Sequence, residues 1–146
     1  MKPSDQILFT AASPENAESI LSLITQLDHV ITKDDLLNNI KNSVHNEDYR
    51  LFVAKDNEAV IAFAELHLMH FIYEVRKRAR LTVYCVDEKY RNRKIGSRFL
   101  NFLEAFCIEN DVFRIELTSN IRRIRAHGFY EQNGYSFISK AFHKNL

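Results

Sequence analysis

The amino-acid sequence predicts an α/β domain spanning residues 1–146, with a mixed, mostly antiparallel sheet of about six to seven strands flanked by about four helices. Short segments rich in β-branched and aromatic residues alternate with longer segments in which apolar residues recur every three or four positions. A chain of 146 residues can bury one hydrophobic core without disulfides or metals, and no repeat or linker indicates a second domain.

The first third of the chain predicts one strand followed by two helices. Residues 7–11 form the strand, and Ser13, Pro14 and Glu15 supply the cap, the first-turn proline and the first-turn acid of a helix that reaches about Leu27. Thr32 is predicted to begin the second helix.

The middle of the chain predicts three more strands, of which the first two are expected to be antiparallel with the strand at 7–11 and to lead into the third. Residues 51–55 and 60–70 flank a hairpin turn, and residues 81–86 are β-branched and aromatic. The basic run at 76–80 is predicted to be a solvated connection. As an alternative, Arg78 and Arg80 would share a strand face with Thr82 and Tyr84 and hold an anionic acceptor.

The last third predicts a long helix, a fifth strand, a second helix and a closing strand. The long helix has an apolar stripe formed by Ile95, Phe99, Phe102, Leu103 and Phe106. Residues 113–117 alternate as a strand, and a helix from about Ile121 to Gln132 ends at an Asn-Gly pair. Residues 135–143 are then expected to close the sheet.

The turn between the strand at 81–86 and the long helix suits an anion such as a pyrophosphate. The amides from about Asn92 to Ser97 have no partners within the helix, and the positive end of the helix dipole lies there. Gly96 and Ser97 have little side chain, and the bases of residues 91–94 add positive charge. The alternative is an ordinary surface turn with solvated bases.

Two motifs resemble those of the GNAT superfamily of N-acetyltransferases. Residues 91–96 resemble its (Arg/Gln)-x-x-Gly-x-(Gly/Ala) motif, and residues 126–135 resemble its Ala-x-x-(Leu/Phe)-Tyr-x-x-x-Gly-(Phe/Tyr) signature. The resemblance implies the GNAT fold, with acetyl-CoA as acyl donor. Lys94 replaces the first glycine, so either the turn keeps helical dihedrals or the pyrophosphate pocket is tighter than usual. Residues 118–123 and 126–130 are similar to the aminoalkylphosphonate and small-amine acetyltransferases.

The resemblance also implies the roles of individual residues. Tyr130 is the implied catalytic residue, which protonates the departing sulfur of CoA; the alternative is an aromatic packing residue. The backbone near Cys85 and Val86 would hold the thioester and the pantetheine. The residues expected to bind the cofactor are Tyr84, Cys85, Val86, Arg91, Asn92, Arg93, Lys94, Ile95, Gly96, Ser97, Asn120, Arg123 and His127.

The general base is not identified by the motifs. Val83 stands where many GNAT relatives have a glutamate, so the usual carboxylate is missing. The candidates for the general base are Glu65, His67 and Glu74. An amine whose pKa is lowered in a desolvated pocket would need no base. His67 and His70 would lie on opposite faces of a strand, so no metal is expected.

Composition limits the partners. Twenty basic and 19 acidic residues give a net charge of +1, so neither nucleic acid nor a membrane is an expected partner. Cys85 and Cys107 are expected to be reduced thiols, and no signal peptide is evident, which favours a cytoplasmic location. Exposed aromatic residues near the C-terminal strand would permit a homodimer.

The expected function is direct transfer of an acetyl group from acetyl-CoA to a primary amine of a small molecule, without a covalent enzyme intermediate. Cys85 has no evident base partner, which argues against a ping-pong mechanism. Acetylation of a protein N-terminus or lysine is one alternative, and a noncatalytic acyl-CoA sensor is another.

Overall fold

The computed structural model describes residues 6–146, which fall into two units. One unit runs to Glu116, and the other covers Leu117–Leu146. The strands are β1 (Ile7–Ala11), β2 (Tyr49–Asp56), β3 (Ala59–Met69), β4 (Lys77–Val86) and β5 (Val112–Glu116), and the helices are α1 (Ala17–Gln26), α2 (Lys33–Ser43), α3 (Ile95–Glu109) and α4 (Ile124–Gln132).

The sheet of the first unit has the strand order β1-β2-β3-β4-β5. Neighbouring strands from β1 to β4 are antiparallel, whereas β4 and β5 are parallel and are connected through α3. The α/β class and the mixed, mostly antiparallel sheet are therefore confirmed, with five strands in the described residues instead of about six to seven.

The expected closing strand is wrong, because residues 135–143 form no strand. Phe137 and Ile138 are neighbours, so they cannot both point to one face of a sheet, and both side chains are exposed, as is Phe142. The segment therefore lacks the alternation that would bury one face.

Helices α1 and α2 cover one face of the sheet and form the main core with it. Ile20 and Leu23 of α1 and Ile40 of α2 are almost completely buried in a cluster that includes Val53 and Phe63 of the sheet. Burying a side chain of this size contributes about 1.5–3 kcal/mol. This packing holds both helices over the middle strands.

Helix α3 covers the opposite face with aromatic rings. The ring centroids of Phe9 and Phe99 lie 5.4 Å apart, and those of Phe52 and Phe102 lie 5.3 Å apart. The apolar stripe predicted for this helix is thus confirmed as its buried face, and it fixes the start of α3 against the sheet.

Strand β4 begins at Lys77, so the prediction of a solvated connection for the basic run is wrong. Carboxylates neutralise the arginines here: Arg76 Nε lies 3.0 Å from Asp111 Oδ1, and Arg80 Nη2 lies 2.9 Å from Glu116 Oε1. Pairing with β3 on one side and β5 on the other makes this charged run part of the strand, and the ion pair with Glu116 leaves Arg80 engaged instead of turned toward an acceptor.

In the second unit, α4 begins three residues later than expected. The side-chain oxygen of Asn120 accepts the N–H of Arg122 at 2.9 Å, and its carbonyl accepts the N–H of Arg123 at 2.9 Å. This turn occupies residues 120–123, so Arg123 is the N-cap residue and Ile124 is the first residue of α4.

Candidate functional site

A β-bulge interrupts β4 beside the predicted cofactor-binding residues. Leu81 pairs with Leu66 and Val83 pairs with Glu65, so Thr82 is an extra residue in β4. The insertion changes which face the following side chains occupy. Val83 therefore packs against the core under α1 and α2, to which Leu81 does not belong.

Tyr84 lies on the α3 side of the sheet because of this bulge. Its ring centroid is 5.7 Å from that of Phe99, and its hydroxyl donates a hydrogen bond to the carbonyl of Gly96. The prediction that Tyr84 would share a face with Arg78 and Arg80 is therefore wrong. Tyr84 joins the end of β4 to the first turn of α3.

The turn between β4 and α3 is held by its own polar groups. The Asp87 carboxylate accepts the N–H of Lys89 at 3.0 Å, and Arg91 Nε donates to the carbonyl of Val86 at 3.4 Å. The guanidinium of Arg93 lies 5.2 Å from the ring centroid of Tyr90. Both arginine side chains are exposed, so their charges remain next to the helix start.

Lys94 adopts a left-handed backbone conformation, with φ +61° and ψ +12°. The expectation of helical dihedrals is therefore wrong, because the backbone keeps the conformation that a glycine in this motif favours. Asn92 also has a positive φ, +64°. Two left-handed residues in three bend the chain sharply into α3.

The first amides of α3 lie at the positive end of its dipole. The first helical hydrogen bond runs from the N–H of Arg98 to the carbonyl of Lys94, at 3.1 Å. The N–H groups of Ile95, Gly96 and Ser97 precede this bond, and no carboxylate lies in the first helical turn. An anion of the size of a pyrophosphate suits this combination of amides and exposed bases.

In the second unit, Asn120 and His127 are connected directly. His127 Nε2 lies 2.9 Å from the carbonyl oxygen of Asn120, and its backbone N–H donates to the carbonyl of Arg123 at 3.1 Å. The structure thus brings these three predicted cofactor-binding residues to one end of α4. Their contacts with a cofactor stay a prediction.

Tyr130 lies within an aromatic group of the second unit. Its ring centroid is 5.4 Å from that of Phe129 and 5.8 Å from that of Tyr135. Gly134, with φ +88°, ends the helix between them. The packing orients the Tyr130 ring, and the catalytic role of its hydroxyl stays a prediction.

Two cavities adjoin the α1–α2 face of the sheet. One, of about 290 Å³, is lined by Ile24, His29, Val30, Ile31, Leu36, Asn39, Ile40, Ser43, Leu51, Phe63, Glu65 and Val83. The other, of about 350 Å³, is lined by Asn39, Asn42, Ser43, Asn46, Tyr49 and Glu65. The two share Asn39, Ser43 and Glu65, so Glu65 is the base candidate that the structure places against open space.

The other candidate carboxylate is occupied. Glu74 forms a close ion pair with Arg78, and this hydrogen bond raises the pKa of the Arg78 guanidinium. The guanidinium also lies 4.3 Å from the ring centroid of Phe71. These contacts give Glu74 and Arg78 a structural task.

Neither cysteine is placed as a nucleophile. The Sγ of Cys85 is buried and donates to the carbonyl of Leu23 at 3.4 Å. Burial, with a smaller effect of Glu104, raises the pKa of the Cys107 thiol to about 12. A thiol with that pKa is protonated at neutral pH and does not attack a thioester.

Residues 6–146 contain neither a cluster of metal-ligating side chains nor a helix that could span a membrane. No three histidine, cysteine, aspartate or glutamate side chains are grouped to hold a metal ion. Among the same residues, every helix is too short or too polar to span a bilayer.

Comparisons with known proteins agree with this geometry. The family model described as Acetyltransferase (GNAT) family matches residues 17–135. An aminoalkylphosphonate N-acetyltransferase of Salmonella typhimurium is 29% identical over 140 residues, covering 92% of this chain and 88% of that protein. A GNAT family acetyltransferase structure from Staphylococcus aureus has a TM-score of 0.83 at 21% identity, covering 96% of this chain and 98% of that one. A transcriptional regulator from Bacillus halodurans has a TM-score of 0.88 at 17% identity, covering 97% and 100%.

Proposed function

The chain belongs to the acetyltransferase (GNAT) family, and from this premise we propose that it transfers an acetyl group from acetyl-CoA directly to a primary amine of a small molecule. The observation that carries the donor assignment is the start of α3. There Lys94 keeps the left-handed backbone of a glycine, and the amides of 95–97 precede the first helical hydrogen bond. These amides, with Arg91 and Arg93, would hold the pyrophosphate.

The acceptor assignment is supported by a relative and by the cavities. The relative from Salmonella typhimurium is named for aminoalkylphosphonates, which are small amines that carry an anionic group. The cavities beside Glu65, of about 290 Å³ and 350 Å³, match the volume of a small molecule. A folded protein surface as acceptor would instead need an open groove.

The reaction requires three events besides donor binding. The acceptor nitrogen must lose a proton before it attacks the thioester carbon, and the oxyanion that forms there must be stabilised. The departing sulfur must then gain a proton, for which we propose the Tyr130 hydroxyl. The acyl group passes straight to nitrogen, since Cys85 is buried and hydrogen-bonded to a main-chain carbonyl.

Several further assignments belong to the same proposal. We treat residues 1–146 as one acetyltransferase domain, since the family match at 17–135 runs through both units. We propose a cytoplasmic location, where acetyl-CoA is available. A homodimer is supported by the exposed Phe137 and Phe142 side chains, and light scattering after gel filtration tests it.

Thiol release from acetyl-CoA tests the function. A panel of small amines, including aminoalkylphosphonates, amino sugars and polyamines, is compared with peptides bearing a free N-terminus or a lysine. We expect release with at least one small amine and calorimetric binding of CoA. Absence of thiol release with every acceptor contradicts the proposal whether or not CoA binds, and turnover of peptides alone redirects it to a protein acceptor.

Replacing Tyr130 with phenylalanine tests the role of its hydroxyl. The variant keeps the aromatic packing with Phe129 and Tyr135, and its unfolding temperature is measured beside that of the wild type. We expect kcat to fall about 100-fold, the usual size of a lost proton donor. Tyr135→Phe is the matched control. Unchanged kcat in the Tyr130 variant removes Tyr130 from the mechanism.

A further inference from the structure

Among residues 6–146, Glu65 is the one acidic residue that lines the two cavities next to α2. It projects from β3 opposite Val83 of β4, at the position where the bulge begins. A quarter of its side chain, 25%, is exposed, so solvent or a ligand in the cavities reaches the carboxylate. Its surroundings in the smaller cavity are largely apolar, with Leu51, Phe63 and Val83 beside it.

Two neighbouring side chains hold the Glu65 carboxylate in place. Its Oε1 lies 2.7 Å from the hydroxyl of Thr82 and 3.1 Å from Nε2 of His67. Thr82 reaches this position because it is the extra residue of the bulge and therefore lies across from Glu65. Both contacts converge on Oε1.

The arginines of β4 are engaged by other carboxylates, whereas His67 forms an ion pair with Glu65 only when its ring is protonated. Arg78 is bound by Glu74, and Arg80 is bound by Glu116 at 2.9 Å. The titratable groups that face Glu65 or line its cavities are His67 on β3, Tyr49 on β2 and His29 after α1; α2 contributes only Asn39, Asn42 and Ser43 among its polar lining residues. An ammonium group entering either cavity therefore meets one oriented carboxylate.

From this arrangement we infer that Glu65 is the catalytic base that deprotonates the acceptor amine, an inference that rests on the proposed function. The carboxylate takes one proton from the R–NH₃⁺ group, and the nitrogen lone pair forms the C–N bond as the C–S bond breaks. The departing sulfur takes its proton from the Tyr130 hydroxyl, and the second amine proton restores that hydroxyl, so the products are the amide and the CoA thiol. Glu65 then returns its proton to water. Thr82 and His67 are positioning residues that orient Oε1.

The test replaces Glu65 with glutamine, which has the same shape and keeps an oxygen for Thr82 and His67. With the best amine of the panel, we expect kcat at pH 7 to fall about 100-fold. The loss should shrink as pH rises toward the pKa of the free amine, because the unprotonated acceptor then needs no base. Glu65→Asp should restore part of the rate, since it keeps a carboxylate.

Matched measurements separate catalysis from folding and donor binding. Glu74→Gln removes a carboxylate that is 15% exposed and bound to Arg78; it should lower the unfolding temperature but keep kcat within about threefold, because it breaks a structural ion pair. Thermal unfolding and CoA calorimetry should be unchanged in Glu65→Gln. Thr82→Val should lower kcat more than it raises KM, because it leaves the base present but less well oriented.

Three results would overturn the inference. One is a Glu65→Gln enzyme whose kcat and pH profile match the wild type. Another is a variant that raises KM alone, which would make Glu65 an anchor for the ammonium group. The third is a wild-type protein that releases no thiol with any amine, which refutes the proposed function as well. The wild-type assay is run first, so the two failures are distinguishable.

Discussion

Lys94→Gly is expected to stabilise the protein, because Lys94 has the left-handed dihedrals φ +61° and ψ +12°. A residue with a Cβ pays about 1–2 kcal/mol for this conformation. Glycine avoids that cost but loses about 0.5–1 kcal/mol more backbone entropy on folding. The net gain in unfolding free energy is about 0.5–1 kcal/mol, and 1 kcal/mol corresponds to a rise in Tm of about 2–4 °C.

The control for this prediction is Lys94→Ala, which removes the same charge and side-chain length but keeps the Cβ. Urea and thermal unfolding of the two variants should place glycine above alanine by about 1 kcal/mol. CoA affinity should change equally in both, since they lose the same exposed charge. If alanine were as stable as glycine, the backbone at Lys94 would not be strained, and the bend into α3 would need another explanation.

Two further predictions concern stability. Thr32→Ala should lower the unfolding free energy by about 1 kcal/mol in urea titrations, because the Thr32 hydroxyl accepts the N–H of Asp35 at 3.1 Å at the start of α2. Thr32→Ser keeps the hydroxyl and should lower the unfolding free energy less. Equal losses in the two variants would contradict a capping role. Burial raises the pKa of the Cys107 thiol from 9.0 to about 12. As pH rises, the thiol therefore loses its proton in the unfolded chain before it does so in the folded one. The contribution of Cys107 to stability should then decline between pH 9 and about 12. The stability difference between wild type and Cys107→Ala should narrow over that range, and a constant difference would refute the assignment.

Much of the fold could be predicted because its signals are local. The apolar stripe of α3 and the cap at Thr32 predict the positions of the two helices, and both are confirmed. The extent of β4 was not predictable from the run at 76–80, because the carboxylates that neutralise it come from distant positions such as Asp111 and Glu116. The pairing of this segment with β3 and β5, which makes it a strand, likewise depends on distant residues.

The site was predictable to the degree that it depends on motifs. The anion-binding role expected for residues 91–97 could be inferred from their basic and small side chains and from the helix that begins among them. The role of Thr82 had no sequence signal, because threonine is common in strands and a bulge depends on the partner strand. The left-handed backbone of Lys94 was also missed, because a lysine rarely marks such a conformation.

The extra residue in β4, Thr82, changes which side chains of this strand lie on each face of the sheet. Before Thr82 the side chains of β4 alternate between the two faces of the sheet, and after Thr82 this alternation is inverted. Leu81 and Val83 are two positions apart and would share a face in a regular strand, but here they lie on opposite faces. Under the proposed function, substitutions on the face of Glu65 and Val83 would therefore change which amine fits, while Tyr84 would still hold the start of α3, where we propose that CoA binds. Deletion of Thr82 would restore a regular alternation, so the side chains that follow it in β4 would move to the opposite face of the sheet.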